Sequence, residues 1–156
     1  MGMTLANRAS GAILLIRLYV GAIFVLEGVL KFVRPDALGP GRFAKIGIPA
    51  ADLLANFDGV LEIGCGLLIV AGLFTRFATL PMIADMLGAI LLTKVPLLWS
   101  DAALYPKEGG IWDFLHEARL EVAMLCGCVY LLIVGAGTYS ADARRQRGAM
   151  PEHVAA

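Results

Sequence analysis

Eight ionisable residues in this chain stand where their types and spacing allow chemistry: Arg17, Glu27, Lys31, Glu62, Asp85, His116, Arg119 and Glu121. All but His116 fall inside long apolar runs, as do Asp58 and Lys94. A charged side chain at the centre of a bilayer costs about 2.5–3.5 kcal/mol on insertion scales, so such groups have a partner or a task. Carboxylates and histidine accept and release protons, and Lys or Arg holds an anionic head group. Arg17, Glu27, Lys31, Glu62 and Asp85 form the expected pocket for a ligand or for proton handling, with His116, Arg119 and Glu121 at its mouth. No set assigns a reaction, and no Cys/His spacing matches a metal site.

The elements that must position these groups are membrane spans. Of 156 residues, 59% are hydrophobic and 17% charged, and the mean hydropathy is +0.77. Four apolar runs, at 11–33, 52–74, 77–99 and 117–138, each have the roughly 20 residues that cross a hydrocarbon core. Only helices and closed barrels satisfy their backbone in lipid, and strand-like alternation is absent from these runs. The expected fold class is therefore all-α: one integral membrane domain of four transmembrane helices over 1–156, ending in a short polar tail at 139–156. The first run carries Arg17 and Glu27 and lacks an A-x-A site, so it reads as a retained helix and not a signal peptide.

Helical periodicity puts Arg17, Gly21, Phe24, Gly28 and Lys31 on one face of the first span, with Glu27 adjoining. Leu15, Tyr19, Ala22, Leu26, Leu30 and Val33 take the lipid side. Asp58, Gly59, Glu62, Cys65 and Gly66 share a face of the second span; Ala78, Met82, Asp85, Gly88 and Ala89 share one on the third. On the fourth, Glu117, Glu121, Met124, Cys128 and Gly135 align. Small residues there let neighbouring backbones approach. A second reading stays open: the charges act as glue. Glu27 and Lys31 have the spacing of an intrahelical pair, and the others neutralise one another or snorkel.

The loops at 34–51 and 100–116 leave on one side, and Thr75-Arg76 is a tight turn on the other. Counted inward from the two-loop side, Glu27 lies about 9 Å deep, Glu62 about 13 Å, Asp85 about 20 Å and Glu121 about 6 Å. The pocket thus opens toward the long loops. Trp99, Tyr105 and Trp112 suit an interfacial belt there. Arg8, Arg76, Arg144, Arg145 and Arg147 lie on the opposite side, against Arg34, Arg42, Lys45 and Lys107 with Lys31 and Lys94 on the loop side. The concentration of Arg144, Arg145 and Arg147 at one helix end favours cytoplasmic termini. Zero net charge without a basic stripe argues against nucleic acid. Cys65, Cys126 and Cys128 read as small packing residues.

The segment Arg17-Leu18-Tyr19-Val20-Gly21, with Glu27-Gly28-Val29-Leu30-Lys31-Phe32, resembles the DoxX family of small bacterial membrane proteins. So do Gly59-Val60-Leu61-Glu62-Ile63-Gly64-Cys65-Gly66-Leu67-Leu68, Gly72-Leu73-Phe74-Thr75-Arg76 and Gly135-Ala136-Gly137-Thr138-Tyr139-Ser140-Ala141-Asp142. The resemblance implies a four-helix bundle in the bacterial inner membrane. The family name comes from a subunit of a thiosulfate:quinone oxidoreductase, and relatives are associated with oxidative-stress and thiol systems. It implies a redox-associated subunit with no covalent cofactor, a quinone or small lipid-like ligand, and a protein partner or homo-oligomer. The alternatives are a partner-recruiting scaffold and a transporter of a small solute or protons.

Overall fold

The computed structural model describes residues 2–99 and 102–148. Ser100, where a loop was expected to start, the tail residues 149–156 and the side chain of Arg8 lie outside the described residues. All regular structure among the described residues is helical: α1 (Gly2–Val33), α2 (Pro40–Lys45), α3 (Ala51–Ala71), α4 (Thr75–Ala89), α5 (Ile111–Val134) and α6 (Ala141–Gly148). A π-helical turn at Ile90–Lys94 and a 3-10 turn at Val95–Trp99 continue α4. Among the described residues, three helices are long and apolar enough to cross a membrane: Gly11–Val33, Ala51–Ala71 and Thr75–Trp99.

Helix ends follow local chemistry. The second helix stops at Ala71, short of the expected Phe74, because Gly72 takes a left-handed φ of 68° and its N–H bonds to the Ile69 carbonyl. The last long helix stops at Val134, before the expected Thr138, where Gly135 has φ 84°. It also starts six residues earlier than expected, at Ile111. Pro96 cannot donate to a carbonyl one turn back, which breaks the regular ladder near the π-helical and 3-10 turns. Two short helices escaped the sequence reading. The loop 34–51 contains α2, led by Pro40, and the polar tail contains α6.

Packing order is α1 on α3, α3 on α4, α4 on α5, and α5 back on α1. The α1–α3 seam is built on glycine. A Cβ added to Gly28 would stand 2.6 Å from the Gly59 carbonyl oxygen, and one on Gly66 would stand 2.8 Å from that of Gly21. Two antiparallel glycine pairs therefore bring the backbones together. Leu15, Tyr19, Leu26 and Val33 are exposed on the outer face of α1, as its periodicity requires. Inside, Val20, Phe24, Ile69, Met82, Met124 and Cys128 fill a continuous apolar layer with contributions from α1, α3, α4 and α5.

Candidate functional site

Above the apolar layer, toward the long loops, a cavity of about 720 Å³ opens between the helices. Its wall carries six carboxylates, Glu27, Asp58, Glu62, Asp85, Glu117 and Glu121, against the cations Lys31, Arg42, Lys94 and Arg119. Apolar side chains complete it: Ile23, Phe24, Met86, Leu92 and Met124 from the long helices, and Leu38, Phe43, Ile46 and Ile48 from the segment around α2. That segment forms one side of the pocket.

Two ionic clusters organise the polar end. In the first, Lys31 near the end of α1 donates to Asp58 Oδ2 and Glu62 Oε2, both at 2.5 Å. The expected intrahelical partner, Glu27, is not what Lys31 pairs with: the glycine seam brings α3 close enough for one ammonium to reach two carboxylates four residues apart. In the second, Lys94 donates to the Tyr105 hydroxyl at 2.6 Å and lies 3.5 Å from Glu117 Oε2 and 3.3 Å from Glu121 Oε1. The ammonium also stands 4.8 Å from the centre of the Tyr105 ring. The two clusters share a design, in which a lysine late in one helix straddles two acids four apart on the next.

Asp85 stands beside the first cluster. Single oxygens of Asp58, Glu62 and Asp85 lie within 4.8 Å of one another. The Oδ2 of Asp85 and the Oε2 of Glu121 are buried without a hydrogen-bond partner. Burying a polar atom unmatched costs about 1–3 kcal/mol, so two such acceptors on one cavity wall are conspicuous.

Of the eight residues singled out in sequence, the cavity gathers Glu27, Lys31, Glu62, Asp85, Arg119 and Glu121. Arg17 belongs elsewhere. It is 2% exposed and lies at the opposite end of α1's inner face, where its guanidinium donates to four carbonyls: Ile69 at 2.9 Å, Val70 at 2.5 Å, Ala136 at 2.9 Å and Tyr139 at 2.7 Å. It clamps the end of α3 to the chain that follows α5. His116 is also outside the wall, with its side chain 67% exposed and Nε2 4.0 Å from Glu117 Oε1. Its carbonyl accepts a bond from Arg119. Of the three aromatic residues expected at the interfacial belt, Tyr105 accepts the bond from Lys94, and Trp99 and Trp112 are exposed.

Sequence reading left Asp58, Lys94, Glu117 and Arg42 off the site. The i,i+4 acids at 58 and 62, and again at 117 and 121, were the available signal. For the turn that carries Lys94 inward the available signal was Pro96, which marks a broken ladder but not the direction in which Lys94 points. The three thiols are free, with Cys65 and Cys128 buried and Cys126 exposed.

The sequence model of the DoxX family matches residues 12–95, a stretch holding Lys31, Asp58, Glu62, Asp85 and Lys94. An uncharacterized membrane protein of Mycobacterium tuberculosis is 47% identical over 138 residues, which cover 88% of this chain and 83% of that protein. No solved structure matches the chain. With the family pattern spanning more than half the chain and a relative this similar over most of both lengths, this small membrane protein belongs to the DoxX family.

Proposed function

We propose that the protein is a small inner-membrane subunit of a redox-associated system, and that its cavity receives a quinone or a similar lipid-like ligand. The observation that carries this reading is the cavity itself, with apolar walls ending in two lysine–carboxylate clusters. Its volume of about 720 Å³ falls within the usual range for small-molecule sites. A quinone takes up two electrons and two protons to become a quinol. A partner redox subunit supplies the electrons in this reading. Lys31 and Lys94 orient the carbonyl-bearing ring, and Asp85 and Glu121, with their unpartnered oxygens, relay the protons.

The same reading makes the chain one membrane domain with α5 as its fourth span. At 24 residues α5 is about 36 Å long, and its acidic and basic residues lie in its first half. Both termini are cytoplasmic in this arrangement, with the cavity mouth on the other face.

Organic extraction of the detergent-purified protein, followed by mass spectrometry, is the direct test. We expect a quinone near stoichiometric amount, and a short-tailed quinone that binds at least tenfold more weakly to Asp85→Asn while folding is retained. Absence of any extractable ligand, with no binding of the short-tailed quinone, would leave the scaffold reading in its place.

A further inference from the structure

At the end of the molecule away from the polar cavity, a second cavity of about 610 Å³ lies between the α3–α4 turn and the α5–α6 turn. Two guanidinium groups line it, Arg76 at the start of α4 and Arg145 on α6. Arg144 and Arg147 stand exposed on the same short helix. Each lining cation is held in place by a contact that leaves donors over. Arg76 Nη2 donates to the Ile133 carbonyl at 2.9 Å, and Arg145 rests 5.4 Å from the centre of the Phe74 ring. A guanidinium has five N–H donors in a planar fork that matches phosphoryl oxygens.

A second observation points to a ligand. Thr75 lines the same cavity, is 1% exposed, and its Oγ1 has no hydrogen-bond partner. It is the first residue of α4, a helix of 15 residues, and helix N-termini favour negative charge. Asp142 is the single carboxylate on this wall, and it is already engaged: its Oδ1 accepts the Phe74 N–H at 3.1 Å. Phe74 and Phe77, 51% and 74% exposed, flank the opening. An anionic group flanked by exposed aromatic rings, at the end of membrane helices, is the chemistry of a lipid headgroup with its acyl chains alongside.

We propose that this cavity binds the phosphoryl headgroup of an anionic phospholipid, with Arg76 and Arg145 as its cations and the Thr75 hydroxyl as a further donor.

Native mass spectrometry of the full chain in detergent, titrated with phosphatidylglycerol or phosphatidylcholine, tests the site. Phosphatidylglycerol is expected to be retained and phosphatidylcholine not. Arg76→Gln with Arg145→Gln should weaken phosphatidylglycerol binding at least tenfold, and Thr75→Val several-fold. Lys45→Gln, which removes one charge at the opposite end, should change nothing. Should the double variant misfold, Arg145→Gln alone, on exposed α6, carries the test through a several-fold loss. Displacement of the lipid by millimolar inorganic phosphate, with the same sensitivity to the variants, would uphold the phosphoryl site and reassign its source to free phosphate. Equal retention of the two lipids, or phosphatidylglycerol binding unchanged in folded Arg76→Gln/Arg145→Gln protein, would overturn it.

Discussion

Lys31 and Glu62 meet across the α1–α3 seam with Nζ and Oε2 2.5 Å apart, and the same ammonium holds Asp58. The contact is asymmetric. Glu62 depends on one cation, whereas Lys31 has two carboxylates. Losing one member of a buried pair costs about 3–5 kcal/mol, because the other charge is stranded in low dielectric. Lys31→Met strands two acids and should destabilise more than Glu62→Gln. The double variant should lose less than the sum of the two. Denaturant or thermal unfolding in detergent, arranged as a double-mutant cycle, reads the coupling, and strict additivity would mean the pair contributes nothing jointly.

The glycine seam gives a second expectation. Gly28→Ala places a methyl 2.6 Å from a backbone oxygen that cannot rotate away. Overpacking of this kind costs about 1–3 kcal/mol. Gly64→Ala, on the same pair of helices but with open space around its Cβ position, should be neutral or slightly stabilising. Comparing their melting temperatures separates seam packing from any general effect of adding a methyl group.

Arg17 predicts a stability effect without a ligand effect. Arg17→Lys keeps the charge but concentrates its donors at one point, so the fan of four carbonyl bonds is lost. Hydrogen bonds to charged groups are worth about 1.5–3 kcal/mol each, so the total loss should be several kcal/mol. The segment around Ala136 and Tyr139 should become sensitive to protease while the first cavity binds its ligand unchanged. Loss of ligand binding in folded Arg17→Lys protein would contradict the separation of the two ends.

Orientation is tested by labelling. A cysteine at Lys107 should react with an impermeant maleimide added to the periplasmic side of whole cells, and a cysteine at Arg145 should react only after lysis. These measurements need a background in which native Cys126, the exposed thiol, is replaced. Labelling of both positions from one side would remove α5 as a membrane span.

The inner face of α1 was legible because a period near 3.6 survives any tertiary detail: Arg17, Phe24 and Gly28 are buried, and Leu15 and Leu26 are not. The clustering of Glu27, Lys31, Glu62 and Asp85 was legible for the same reason, since depth along a helix follows from residue count. Partner choice was not. Glu27 satisfies a local spacing rule, but the Gly28–Gly59 contact sets a shorter route to α3 that no single helix reveals. Arg17 shares a face with Lys31 yet lies a layer away, about 20 Å of helical rise, and its partners are backbone carbonyls, which sequence does not mark. Lys94 and Tyr105 meet only because a π-helical turn and a folded loop bring them together. Such irregular backbone leaves no periodic signature.

The apolar layer of Val20, Phe24, Ile69, Met82, Met124 and Cys128 separates the carboxylate cavity from the arginine-rich end. Arg17, the buried cation beyond it, has four of its five N–H donors committed to carbonyls. The polar chamber is therefore a cul-de-sac, closed at its inner end by apolar side chains. Quinone reduction as proposed for this cavity would have a built-in sidedness, with its protons drawn from the loop face alone. On the proposed reading, electrons supplied from the other face would make each turnover separate charge across the bilayer without any ion having to traverse the chain.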